Sequence, residues 1–227
     1  KQHGDIRVFL IDGKVIEALP NAMFRVELDN GNSLYLMGKV DRVDLLKSGD
    51  KEYIRIIDYK LKGKKMDYRK FRDGIAFQLF VYLNALSGNK YTPAGVLYSR
   101  LIDDYNYDRL TGLIVKEKGQ DILLPDGFKE HNTILPLEYD LIKKFTEDKI
   151  KSHAKNIIKG DFKVAPYYYK NDEKGCTYCK YLKICKNKKV NRVLLNSKYD
   201  KKSFIEELRN KYDKLDWWSK ISHWLKR

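Results

Sequence analysis

Two aspartates and a lysine stand at the outer ends of two apolar runs in the segment GKVDRVDLLKSGDKEYIRIIDYK, residues 38–60. Gly49-Asp50, between the runs, is a turn dipeptide and predicts a hairpin. Antiparallel pairing across that turn sets three pairs of residues opposite each other: Asp41 and Asp58, Val43 and Ile56, Leu45 and Ile54. Lys60 follows Asp58 by two residues, so the pleat places both side chains on one face of the sheet.

Two carboxylates at this spacing repel each other unless a cation lies between them. Mg²⁺ or Mn²⁺, bound by one or two carboxylates and by water, is the expected occupant. A lysine beside such an ion orients or deprotonates the attacking water and stabilises charge on a phosphate. The hairpin therefore predicts metal-dependent phosphodiester hydrolysis. The alternative is a surface hairpin whose acids pair with Lys39, Arg42 or Lys60.

The three cysteines of the chain lie within ten residues, in the segment GCTYCKYLKICK, as Cys176, Cys179 and Cys185. An odd, clustered set is not a disulfide framework, and it indicates a metal or cluster site in a reducing compartment. Zinc and iron–sulfur clusters both suit thiolates at this spacing, and both normally take four protein ligands. The chain supplies no fourth cysteine.

The chain has 227 residues, with 46 lysines and arginines against 31 aspartates and glutamates, a net charge of +15. This excess predicts a polyanionic partner, with nucleic acid ahead of an acidic membrane surface. A lysine-rich proteome is the alternative explanation. No apolar run reaches the length of a membrane span and no signal peptide opens the chain, so we expect a soluble, cytoplasmic protein without a membrane partner. No phosphate-binding loop of an ATP-driven motor is present.

Hydrophobic periodicity predicts the secondary structure and a mixed α/β fold class. The first 36 residues are rich in strands. Predicted elements follow in the order strand, strand, helix, strand, with the helix at about 67–86 ending at Gly88-Asn89 and the last strand at 94–101. A second helix is predicted at 137–158, and a basic amphipathic helix from about Lys201 onward carries Trp217, Trp218 and Trp224. Residues 102–135 give no clear pattern.

The motifs GKVDRVD, IIDYK and QLFVYL together resemble the RecB-type branch of the PD-(D/E)XK nucleases, and among them the C-terminal nuclease domain of AddB-type helicase–nuclease subunits. The likeness covers about residues 32–190. It implies a restriction-endonuclease-like core, a mixed central sheet flanked by helices. It also implies the roles of particular residues: Asp41, Asp58 and the carbonyl of Tyr59 as metal ligands, Lys60 as a catalytic residue, and Gln78 and Tyr82 as a pair that positions the substrate. Asp44, on the opposite face from Asp41, is interpreted as structural.

Two parts of that family pattern are incomplete in this chain. An upstream acid often completes the metal site, and Glu17 and Glu27 are the candidates, although both also suit an exposed strand surface. The cysteines resemble the set that holds a [4Fe–4S] cluster in AddB-type and Cas4-type nucleases, with a fourth cysteine far toward the N-terminus. Because the chain starts at Lys1, we expect that ligand upstream, with His3 or His153 as alternatives.

Residues 13–31, GKVIEALPNAMFRVELDNG, separately resemble the first strands of bacterial translation initiation factor one, an OB-fold protein. The likeness fades after Gly31. A fusion, a recombined sequence or mimicry by a hairpin would each explain it.

The sequence thus predicts three parts: a β-rich segment at 1–36 that feeds the core sheet, a nuclease core with the cysteine cluster at 37–190, and a basic helical tail at 191–227. The leading hypothesis is a Mg²⁺-dependent deoxyribonuclease, with exonuclease action favoured, that acts on single strands or duplex ends. A helicase subunit or a missing upstream domain is the expected partner. The alternatives are a catalytically incomplete nucleic-acid-binding module and, third, a translation-factor-like OB module.

Overall fold

The computed structural model describes most of the chain, with gaps chiefly at the N-terminus and around the cysteines. The described residues are 7–10, 15–16, 22–28, 31, 33–61, 65–88, 90–102, 109–120, 123–125, 128–129, 132–162, 164, 166–169, 176, 179–185, 193–195 and 199–224. At 7–10, 15–16, 22–23, 167–169, 193–195 and 213–224 the description is of the backbone.

Strands dominate the first half of the chain and helices the second. In chain order the elements are β1 (Arg7–Leu10), β2 (Val15–Ile16), β3 (Ala22–Glu27), β4 (Ser33–Gly38), β5 (Arg42–Ser48), β6 (Lys51–Lys60), α1 (Tyr68–Arg72), α2 (Gln78–Ser87), β7 (Thr92–Arg100), β8 (Leu110–Val115), β9 (Thr133–Ile134), α3 (Pro136–Ile158), β10 (Tyr167–Tyr169), β11 (Val193–Leu195) and α4 (Lys201–Trp224).

The main sheet of the described chain has seven strands in the order β2-β1-β5-β6-β7-β8-β9. The pairs β1–β5, β6–β7 and β8–β9 are parallel, whereas β5–β6 and β7–β8 are antiparallel. The apolar residues of the middle strands are fully buried, among them Val43, Ile54, Ile56 and Val96. The predicted mixed sheet with flanking helices is confirmed.

The β5–β6 hairpin has the predicted register. Val43 pairs with Ile56 and Leu45 with Ile54, around a turn at Gly49 and Asp50. Gly49 has a φ of 60°, a left-handed conformation that glycine adopts without steric cost. The ladder begins at the pair Arg42–Ile57, so Asp41 is the residue just before the first paired position.

The β3–β4 hairpin forms a two-stranded sheet of its own. Its inner face contributes Phe24 and Val26 to a cluster with Val81 of α2 and Ile150 of α3. Within residues 13–31, β2 belongs to the main sheet and β3 to this separate hairpin, so the described strands of the segment do not pair as consecutive strands of one barrel. The translation-factor resemblance finds no support in this arrangement.

The single helix predicted at 67–86 is wrong, because the structure has two helices there. Asp67 caps α1, its carboxylate accepting hydrogen bonds from the backbone N–H groups of Arg69 and Lys70. Gly74, at φ 79°, then turns the chain before α2 begins. The predicted end of the helix is confirmed, since Gly88 is the C-cap of α2 with φ 48°.

The other predicted elements are present, namely the strand β7 and the helices α3 and α4. The region 102–135, which the sequence left unplaced, contains β8 and the start of β9. The side chains of Trp217, Trp218 and Trp224 lie outside the described residues. Within the part of the chain that the structure describes, no helix combines the length and the apolar character that a membrane span requires.

The chain divides into two compact units: residues 1–66 with 76–151, and residues 67–75 with 152–227. The first unit contains the main sheet, the β3–β4 hairpin and α2. In the second unit Phe71 of α1 meets Phe204 of α4 edge to face, with ring centroids 5.0 Å apart. Both rings are fully buried. The predicted domain limits at 36 and 190 stay predictions.

Candidate active site

Asp58 lies near the end of β6 and is 8% exposed. Its Oδ2 is 2.5 Å from Nζ of Lys60, which confirms that the two side chains are on one face. The contact is close but is not aligned as a hydrogen bond, and from the described residues this buried oxygen accepts none. A buried carboxylate oxygen in this condition is costly to desolvate and is suited to a cation.

Asp41 is exposed, and its Oδ2 accepts a hydrogen bond of 2.9 Å from the backbone N–H of Tyr59. Its carboxylate thus occupies the position beyond the first ladder pair, Arg42–Ile57, where the next backbone partner of β6 would lie. The side chain is thereby fixed at the end of β6 that carries Asp58. That Asp41 and Asp58 share one cation stays a prediction.

The backbone of Tyr59 faces β5 rather than β7. The carbonyl of the next residue, Lys60, accepts a hydrogen bond from the N–H of Leu101 on the β7 side. Successive residues of a strand point their backbone groups to opposite sides, so the N–H and C=O of Tyr59 both point toward β5, where Asp41 binds the N–H. The carbonyl of Tyr59 therefore lies on the same edge as the Asp41 carboxylate.

Gln78 and Tyr82 share one face of α2, as predicted from their spacing. Nε2 of Gln78 donates a hydrogen bond of 2.8 Å to the hydroxyl of Tyr82. The Tyr82 ring also lies against Gly38, the first residue of the G-x-x-D segment: a Cβ on Gly38 would be 2.5 Å from Cε1 and 2.6 Å from the hydroxyl oxygen. This contact joins α2 to the segment that carries Asp41.

Alanine at position 38 is expected to displace the Tyr82 ring, because a Cβ at 2.5 Å overlaps it. We expect a loss of about 1–3 kcal/mol of stability, and a fall in nuclease activity of up to about a hundredfold if the ring positions the substrate. The measurement is a double-mutant cycle with Tyr82→Ala, in urea unfolding and in cleavage. Gly38→Ala should cost little once the ring is absent; equal costs in both backgrounds would contradict the contact.

The structure adds two residues to the site that the sequence had not indicated, both on β7. In the parallel ladder Tyr98 pairs with Asp58 and Arg100 pairs with Lys60. Burial raises the pKa of Tyr98 to about 12, and the neighbouring Asp58 charge acts in the same direction, so this hydroxyl stays protonated. The strand β7 was predicted, but its register against β6 was not, because a parallel pair has no connecting turn to count from.

Asp44 is 3% exposed and lies in an ion-pair network on the opposite face. Its Oδ1 is 2.6 Å from Nε of Arg42, and its Oδ2 is 2.7 Å from a terminal nitrogen of Arg55, the residue directly across the ladder. These contacts agree with the structural role predicted for Asp44.

The upstream acid of the family pattern has no clear counterpart in the described residues. The side chain of Glu27 is 75% exposed on the β3–β4 hairpin and pairs with Arg25 at 3.1 Å, as an ordinary surface glutamate does. Glu17 lies outside the described residues.

The three cysteines lie in the second unit, in a series of tight turns. The N–H of Cys179 donates to the carbonyl of Cys176 at 3.1 Å, and the N–H of Cys185 to that of Tyr181 at 2.8 Å. All three are free thiols, and Cys179 and Cys185 are exposed. His153 is exposed on α3, and His3 is outside the described residues.

Among the described residues, no three His, Cys, Asp or Glu side chains are grouped closely enough to hold a metal ion. The cysteines as placed therefore do not form a cluster site. A divalent cation at the hairpin would depend on two carboxylates, the carbonyl of Tyr59, water and substrate phosphate, which is the sparse protein ligand set usual for Mg²⁺. The buried Asp58 oxygen fits such an ion.

The site can now be compared with known proteins. The family model described as the PD-(D/E)XK nuclease superfamily matches residues 9–186. The chain belongs to this superfamily. The match runs continuously through residues 13–31, which resemble the translation factor, so that resemblance is not supported.

Curated relatives point to one kind of nuclease, the B-type component of an ATP-dependent helicase/deoxyribonuclease. Relatives of this name are similar to this superfamily member in Clostridioides difficile (29% identical over 206 residues, covering 71% of this chain and 18% of the relative) and in Thermoanaerobacter sp. (29% over 222 residues, 78% and 19%). The relative from Clostridium perfringens is 30% identical over 205 residues, with coverage of 71% and 18%. The chain spans about a fifth of the length of the curated relatives it matches.

Proposed function

We propose that this chain is the nuclease part of a helicase–nuclease involved in DNA repair and recombination, and that it hydrolyses DNA phosphodiester bonds with a divalent metal. The observation that carries the proposal is the pair Asp58 and Lys60, a buried carboxylate with an oxygen that lacks an aligned hydrogen bond beside an ammonium at 2.5 Å. The pair lies on the strand where a PD-(D/E)XK nuclease carries its D-x-K motif.

Asp41, Asp58 and the carbonyl of Tyr59 would hold Mg²⁺ or Mn²⁺. The ion, when bound, lowers the pKa of a coordinated water and polarises the phosphate. The hydrogen bond from the Tyr59 N–H holds one Asp41 oxygen and leaves the other free to turn toward a ligand. Asp58 is oriented by Lys60 and by the wall that buried Tyr98 forms beside it.

Lys60 has two tasks in this proposal. Its ammonium orients the attacking water with respect to the scissile phosphate, and it stabilises the negative charge that develops on the phosphate oxygens. Gln78 and Tyr82 position the substrate strand through the amide and the hydroxyl that they already join by a hydrogen bond. Their attachment to Gly38 keeps this pair in register with Asp41.

The substrate and the partner are proposed from the names of the relatives, which are components of a helicase/deoxyribonuclease, and from the net charge of +15. We expect DNA, as single strands or duplex ends, cut as an exonuclease and fed by a helicase partner. The lysine-rich loop at 62–65 would bind phosphates; of it, only Lys65 is among the described residues. A cytoplasmic location stays a prediction.

Metal removal tests the proposal. Purified protein with Mg²⁺ should degrade end-labelled linear DNA, lose activity to background in excess chelator, and recover it when Mg²⁺ or Mn²⁺ is restored. A covalently closed single-stranded circle is the control for the mode of action, because an exonuclease leaves it intact. Salt-sensitive DNA binding with no cleavage under any divalent metal would contradict the proposal and favour an inert nucleic-acid-binding module.

The [4Fe–4S] cluster also stays a prediction. Cys176, Cys179 and Cys185 provide three thiolates, and an iron–sulfur cluster of this type takes four protein ligands. No step of the proposed reaction depends on it.

A further inference from the structure

Three cations lie side by side on adjacent strands at the catalytic end of the main sheet. Lys60 of β6 pairs with Arg100 of β7 in the parallel ladder. The backbone N–H of Arg100 donates a hydrogen bond of 2.9 Å to the carbonyl of Arg109, the residue just before β8. We call Lys60, Arg100 and Arg109 the cationic row.

The cationic row faces the same way as the catalytic carboxylate. One step back along the strands, Asp58 pairs with Tyr98 and Tyr98 pairs with Thr111. Paired residues of neighbouring strands share a face, and so do residues two apart on one strand. The row therefore borders the site directly. With strands about 4.8 Å apart, it spans roughly 10 Å across three strands.

A row of like charges at this spacing is unfavourable in isolation and becomes favourable when it binds an anion. The side chains are accessible for this purpose, since Arg109 is exposed, Arg100 is half-buried and the side chain of Lys60 is 36% exposed. Arginine presents a planar fork of N–H donors that matches two phosphate oxygens at once, whereas a lysine acts as a point charge. The row thus combines a lysine at the metal site with two phosphate forks leading away from it.

We propose that Arg100 and Arg109 bind the backbone phosphate that adjoins the scissile phosphate, so that the DNA strand crosses the sheet end from β6 toward β8. The inference rests on the proposed nuclease function and extends it to the path of the substrate. Arg100 and Arg109 are positioning residues here, and Lys60 is the one member of the row that meets the reacting phosphate.

The test measures the salt dependence of binding separately from cleavage. A fluorescent single-stranded oligodeoxynucleotide is titrated with Asp58→Asn protein, which is expected to bind without cutting, at several salt concentrations. Each phosphate contact with a single strand contributes about 0.7 to the slope of log K against log salt. We expect Arg100→Gln and Arg109→Gln each to weaken binding about tenfold at low salt and to reduce the slope by about 0.7.

Arg25→Gln is the matched control, because it removes the same charge from an exposed arginine of the β3–β4 hairpin that pairs with Glu27. It should leave the slope unchanged. Arg100→Lys keeps the charge and loses the fork, and it should restore the slope but only part of the affinity. Circular dichroism of every variant establishes that it is folded.

Slopes that equal the parent value in both folded Arg→Gln variants would overturn the inference, and so would an equal loss in Arg25→Gln. The outcome is independent of cleavage: protein that never cuts DNA with any metal, yet loses slope at Arg100 and Arg109 alone, rejects the nuclease proposal and supports the phosphate-binding row.

Discussion

Asparagine at position 58 is expected to reduce DNA cleavage by about a thousandfold or more, equivalent to about 4 kcal/mol of transition-state stabilisation, without loss of stability. The carboxylate is almost fully buried, and its Oδ2 accepts no hydrogen bond from the described residues. Burying a charge in this way costs folding free energy, and pairing with Lys60 offsets only part of that cost. A neutral amide removes the cost and, with it, the affinity for a cation.

Two measurements on Asp58→Asn separate function from folding. Cleavage is followed with Mg²⁺, and the free energy of unfolding is obtained from urea denaturation of the same preparation. We expect activity near background and a free energy of unfolding equal to or above that of the parent, the behaviour of a residue retained for function at the expense of stability. Lys60→Ala should likewise lose activity. Full cleavage in both variants would reject the site.

Asparagine at position 44 is expected to have the opposite effect, a loss of about 3–5 kcal/mol of stability. Asp44 is 3% exposed and is paired with two arginines, Arg42 at 2.6 Å and Arg55 at 2.7 Å. The side chain of Arg55 is only 11% exposed, so without the carboxylate its charge remains buried and poorly compensated. Removing one member of a buried ion pair costs more than the pair itself is worth.

Asp41→Asn is the matched control, because it is the same substitution three residues earlier at an exposed position. The asparagine carbonyl can still accept the Tyr59 N–H, so stability should change by less than about 0.5 kcal/mol, while metal-dependent cleavage falls. The two variants together should separate the aspartates of the DRVD motif into one needed for activity and one needed for folding. Equal stability of Asp41→Asn and Asp44→Asn would contradict the assigned roles.

The parts of the site that depend on local rules were predictable from the sequence. The turn at Gly49 and Asp50 sets the register of β5 against β6, and a turn with recognisable residues lets the pairs be counted. The helical period places Gln78 and Tyr82 on one face, and the observed hydrogen bond between them agrees with that placement. The family resemblance then gave these residues roles that spacing alone does not.

The parts that depend on distant contacts were not predictable. Arg100 and Arg109 come to the site through a parallel ladder and an antiparallel ladder whose registers depend on tertiary packing. The break at Gly74 was also missed, because Phe71 and Leu79 are at helical spacing and both are buried, yet α1 and α2 belong to different units. Periodicity reports that a residue is buried but not what it is buried against.

The pairing of Phe71 with Phe204 has a practical consequence for shortened versions of the protein. α1 lies in the middle of the nuclease motifs, and α4 lies far beyond them in sequence, yet the two rings fill one core. A truncation that removes α4 would expose Phe71, and Tyr68 beside it, a few residues from the D-x-K strand. The motif-bearing stretch is therefore not the minimal expressible fragment, and the C-terminal helix belongs inside its boundaries.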